Sequence, residues 1–159
     1  MRVTHVSVLL VPLLLFVSGA SGQSLTVGAD VYAGGDGANR VASAPRSLFA
    51  AGPAVQVESD VGRDAHLAGF SVHATGATTG DLYAMGGDVT LDGAVGGDMT
   101  AGGFSLSVGP AATVAGNARL AGGSVSIGAP VRGALIVSGG AVTLDEGPKR
   151  WRTTRRTAA

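Results

Sequence analysis

Residues 80–108 read GDLYAMGGDVTLDGAVGGDMTAGGFSLSV. The phrase repeats itself: Asp81 opens one copy and Asp98 opens the next. A fixed internal period decides the architecture before any local propensity does. The same step taken back from Asp81 lands on Asp64, then Ser47, then Asp30. Forward from Asp98 the next start is Asn117, a step longer by two, and the ordinary step then leads to Ala134. The surplus falls in GPAAT, around Pro110.

Apolar residues keep the same period. One residue after the seven starts stand Val31, Leu48, Ala65, Leu82, Met99, Ala118 and Leu135. Three after stand Ala33, Ala50, Leu67, Ala84, Ala101, Leu120 and Val137. Eight after stand Ala38, Val55, Val72, Val89, Leu106, Val125 and Val142; ten after stand Arg40, Val57, Ala74, Leu91, Val108, Ile127 and Leu144, with Arg40 the misfit. A third cluster, Val27, Val61, Val95, Val114 and Val131, closes each unit. Within a cluster the spacing is two, the period of a strand with one buried face. Between the first two clusters lies a glycine, from Gly35 through Gly86 to Gly139, where tolerance of positive φ suits a tight corner.

Three short strands and three corners per unit describe one turn of a triangular coil. Stacked turns pair each strand with its own copy, parallel and in register. The prediction is an all-β parallel β-helix, a solenoid of about seven turns. At about 4.8 Å per turn the rod is roughly 34 Å long. A sandwich or propeller wants longer strands, hairpins and more aromatic residues than 4%. The glycines exclude helical repeats. The calcium-binding nonapeptide roll needs a period of nine, and GGDG at 34–37 is an isolated partial match.

Units such as GDLYAMGGDVTLDGAV, GDMTAGGFSLSV and GNARLAGGSVSIGAPVRG resemble the bactofilin family of polymer-forming cytoskeletal proteins. The resemblance runs from about Leu25 to Leu144. It implies a right-handed, single-stranded β-helix that joins end to end into filaments without nucleotide. The chain departs from that family in carrying an export signal, and in having little sequence between that signal and the first repeat.

The signal is read from the N-terminus. Arg2 precedes the apolar run Val6 to Val17, and Ala20 and Gly22 occupy the −3 and −1 positions of a cut before Gln23. A run of twelve residues is too short to span a bilayer as a helix. The expected organisation is a signal peptide over 1–22, a β-helix domain over 23–147 and a basic tail over 148–159. The expected location is the periplasm, cell envelope or exterior of a bacterium. The formal net charge of zero hides an asymmetry. Residues 23–147 carry eleven acids against five arginines, a net of −6, whereas the tail carries Lys149, Arg150, Arg152, Arg155 and Arg156. With no cysteine, the chain has neither disulfides nor thiolate chemistry.

Little in the sequence points to catalysis. His66 and His73 fall on outward positions of different strands and do not converge. The column Asp30, Asp64, Asp81, Asp98 and Asn117 repeats one environment, whereas an acid–base pair needs two. Asp and Asn at corners bond backbone amides. No nucleophile, base and orienting group come together, so no enzyme, cofactor or metal is expected.

Two surfaces are candidates. Two residues after each start comes an outward column that includes Tyr32, Phe49 and Tyr83, a stripe able to meet a cell-wall polysaccharide or a neighbouring rod. The solenoid's ends expose strand edges and core. Leu25 and Val27 at one end, with Val142 and Leu144 at the other, are the expected self-association residues. The expected function is an exported scaffold that assembles end to end, the alternative a rigid polysaccharide-binding module. The basic tail is a further candidate for an anionic membrane surface; export argues against nucleic acid.

Overall fold

A computed structural model describes residues 22–36, 38–41 and 43–145. The signal-peptide reading, apart from Gly22, and the basic tail lie outside the described residues. The described chain is all β. Strands β1 (Gln23–Val27), β2 (Asp30–Gly34) and β3 (Ala38–Val41) open it. The ten-residue strands β4 (Leu48–Val57), β5 (Ala65–Ala74) and β6 (Leu82–Leu91) follow. Then come β7 (Ala94–Val95), β8 (Met99–Val108), β9 (Thr113–Val114), β10 (Ala118–Ile127) and β11 (Leu135–Leu144). From β2 to β11 the long strands stack in parallel, each on the copy one repeat away.

Each long strand turns a corner halfway. In β6 the buried residues are Leu82 and Ala84, then Val89 and Leu91. The odd step from Ala84 to Val89 breaks the two-residue alternation, so the halves form two sides of the coil. Pairing steps over the corner as well, passing from Gly86↔Gly103 to Asp88↔Ser105. The third side is short: parallel bridges link Ala44, Val61, Thr78 and Val95, then Val114 and Val131, with β7 on β9 between them. Six turns are therefore complete, and β11 adds two sides of a seventh, where the period predicted seven. The GPAAT insertion behaves as expected. Val95 still pairs with Val114, and the surplus is taken up by a turn in which Ala112 N–H donates to the Gly109 carbonyl.

The core is a stack of small aliphatic columns. From β4 to β10 each first side carries one large residue and one alanine: Leu48 with Ala50, Ala65 with Leu67, Leu82 with Ala84, Met99 with Ala101, Ala118 with Leu120. The order swaps at Ala65 and again at Ala118, so the filling volume per turn stays nearly constant and the turns remain superposable. Thr78 is the one buried polar residue among those described, set in the column between Val61 and Val95.

Three expectations are corrected. Beyond Gly35 (149°) the corner glycines do not use positive φ; among the described glycines Gly28 (66°) alone shares it. They are needed for room instead. A Cβ on Gly69 or Gly86 would lie 2.5 Å from the carbonyl oxygen of the glycine one turn below. Arg40 does not enter the core. Three residues lie between Gly34 and Ala38, where the next turn has two between their partners Ala51 and Ala54, so β3 runs one residue out of phase. Val41 takes the core position opposite Val57, and Arg40 faces out, where Nη2 donates to Gln56 at 3.2 Å and Nε lies 3.7 Å from Glu58. Val27 does not join the third column. β1 reverses at Gly28 and runs antiparallel to β2, pairing Val27 with Asp30 and Leu25 with Tyr32.

Candidate functional site

The outward column of the first sides is a ladder of rings. Parallel pairing in register sets Tyr32, Phe49, His66 and Tyr83 directly above one another. Their ring centroids are 5.0, 4.7 and 4.8 Å apart, with interplanar angles of 8°, 0° and 0°. The strand spacing imposes that separation. Face-to-face stacking leaves ring edges and polar tips to solvent, with Leu25 and Thr100 next in register beyond the two terminal rings. A sugar settles on a ring face, so the ladder offers a polysaccharide less than three independent aromatic residues would.

Beside the ladder runs an open trough of about 620 Å³. Its floor is the small-residue column Gly34, Ala51 and Ala68; Met85 stands at one end and Gln23–Leu25 of β1 at the other. Leu25 belongs to this face because antiparallel partners share a side, and its partner is Tyr32. Periodicity marked Tyr32, Phe49 and Tyr83 but missed Met85, Phe70 and Phe104. Phe70 and Phe104 lie along the next corner, 79% and 82% exposed. A Cβ on Gly87 would meet the Phe70 ring at 3.2 Å, and one on Gly123 would meet the Phe104 ring at 3.4 Å. Each phenylalanine covers the glycine of the following turn. The alternation of Phe with Gly in that column was the available signal.

The aspartate column is a backbone ladder. Asp30 Oδ1 accepts from Ser47 N–H (3.1 Å), Asp64 from Asp81 (3.0 Å), Asp81 from Asp98 (2.8 Å) and Asp98 from Asn117 (2.8 Å); Asn117 Oδ1 then accepts from Ala134 (2.9 Å). This explains the Gly-Asp dipeptides: the carboxylate oxygens of Asp64, Asp81 and Asp98 occupy the places where Cβ atoms of Gly80, Gly97 and Gly116 would sit. The bonds from Asn117 hold the Asp98 carboxyl below its ordinary value, with Arg119 adding to the effect and burial opposing it. Arg119 Nη1 donates to Asp98 Oδ2 at 3.3 Å. His66 is committed to the ring ladder; His73, on the second side, lies 3.8 Å from Asp92.

At the ends, Leu25 (49%) and Val27 (58%) are exposed on β1, and Val142 (46%) and Leu144 (44%) on β11. The two ends differ. β1 lies along the edge of β2, whereas β11, among the described residues, is hydrogen-bonded only to β10 and leaves Leu135 and Val137 half-covered. Compared with protein-family models, curated proteins and solved structures, the chain matches none.

Proposed function

We propose that this chain is an exported, non-enzymatic scaffold, bactofilin-like in its repeats, that associates with copies of itself through the ends of its β-solenoid. The observation that carries the reading is the last strand. Among the described residues β11 is paired on its inner edge alone, and beside it Leu135, Val137, Val142 and Leu144 form an unfinished layer of core. A strand edge with apolar backing invites another strand. Solenoids that stay single cover such ends with a polar cap. At the other end β1 presents five uncharged residues, QSLTV, as the outermost of the described strands.

Sedimentation velocity and electron microscopy of the purified chain test this. Oligomers or filaments are expected, shortened by Val142→Lys or Leu144→Lys. A parent protein that sediments as a monomer at high concentration overturns it.

A further inference from the structure

Exposed large apolar side chains are gathered on one side of the rod. Of eleven such residues among those described, eight lie on the outer face of the first sides or on its phenylalanine corner. The face contributes Leu25, Tyr32, Phe49, Tyr83, Met85 and Ile136; Phe70 and Phe104 contribute the corner. The face residues from Leu25 to Met85 border one trough, while Thr100 and Arg119 separate Ile136 from them; apolar surface gathered in this way marks an interaction site.

Charge points to the occupant. The two outward columns of the first sides contain no carboxylate at all, and their ionisable residues are His66 and Arg119, besides the tyrosines. The body they belong to is acidic, with eleven acids against five arginines over 23–147. Along the bordering corner, three of the four aspartates are matched by cations: Asp30 by Arg46 (3.7 Å), Asp64 by Arg63 (3.4 Å) and Asp98 by Arg119 (3.3 Å). An anionic surface therefore meets no carboxylate on this face. Tyrosine, with an apolar ring and a polar tip, suits the headgroup layer of a bilayer.

We propose that the outer face of the first sides is a lipid-contacting surface, on which the rod lies side-on against a bilayer with Tyr32, Phe49, Tyr83 and Met85 in the interfacial layer. The contact is lateral and leaves both ends free, so it is independent of end-to-end association.

The absence of cysteine makes the test direct. Full chains carrying Met85→Cys or Ser124→Cys are labelled with an environment-sensitive fluorophore. They are mixed with vesicles of phosphatidylcholine containing phosphatidylglycerol. Ser124 is exposed on the second side, away from the ladder. With vesicles, emission from the label at position 85 shifts to the blue and escapes iodide quenching, while the label at position 124 stays fully quenchable. This contrast between positions, rather than binding alone, separates the face from the N-terminal run. Tyr83→Asp combined with Met85→Asp lowers the vesicle-bound fraction about tenfold. The same substitutions leave the circular dichroism spectrum intact.

Equal quenching at the two positions overturns the proposal. A blue shift at position 85 that needs only higher protein concentration overturns it in favour of a second copy. Protection by purified wall polysaccharide but not by vesicles overturns it in favour of a sugar ligand. Repeating the contrast on Val142→Lys keeps failure of this proposal distinct from failure of end-to-end assembly.

Discussion

A methyl group at Gly86 would meet the carbonyl oxygen of Gly69, which is backbone and cannot swing away. Gly86→Ala is therefore expected to cost about 1–3 kcal/mol through forced displacement of neighbouring turns. Gly28→Ala has open space around it and only φ strain to bear, about 1 kcal/mol. Chemical denaturation of the two variants checks the order. The positions of the corner glycines were legible in the sequence as a column of their own. Their reason was not, because a crowded glycine and a positive-φ glycine are the same letter. Thr78 sets a hydroxyl between Val61 and Val95 in an otherwise aliphatic column. Thr78→Val should raise stability by about 1 kcal/mol, seen as a higher melting temperature. Asp98 gives a pH signature. Its folded pKa lies below the ordinary 3.8, so its contribution is complete above the unfolded pKa and is lost as pH falls through the folded one. Asp98→Asn keeps a side-chain oxygen for the Asn117 N–H but has no carboxyl to protonate. Its melting temperature should fall less than the parent's as pH is lowered below about 4.

Strands succeed here by volume as well as pattern. Leu82 with Ala84 sits above Ala65 with Leu67, and each turn fills the same space in a different order. Leu82→Ala alone should cost about 2–5 kcal/mol by opening a cavity. Adding Ala84→Leu in the same side should recover part of that loss, and a double-mutant cycle by urea unfolding should show coupling of about 1 kcal/mol or more. The long strands were readable because their inward residues recur without slippage from Leu48 to Leu144. The first turn was not. Gly34 to Arg40 offers only small and polar residues, and nothing in GGDGANR fixes which of them faces inward until Val41 is placed. β1 escaped for a related reason. QSLTV alternates equally well in either direction, and its reversal depends on Gly28 adopting a φ of 66°. Of the candidate surface, the ring ladder followed from period and register alone. The trough and the phenylalanine corner did not, because they depend on how far side chains lean across neighbouring turns.

At the scale of the molecule, the two ends predict unequal behaviour. The β11 end shows half-covered core, while Leu25 and Val27 lie on a strand that already borders β2. Val142→Lys and Leu144→Lys should therefore shorten assemblies more than Leu25→Lys and Val27→Lys, as measured by sedimentation velocity. The GPAAT turn carries a broader consequence. Its surplus bulges between Val108 and Thr113, yet β8 and β10 on either side meet in unbroken register. A length error inside one turn is absorbed locally and is not handed to the next. Whole turns are thus interchangeable parts: excising one complete repeat, Asp81 through Gly97, should leave a shorter rod with its remaining joints unchanged. Gene duplication or deletion can then set the molecule's reach like beads counted onto a wire, in increments of about 4.8 Å.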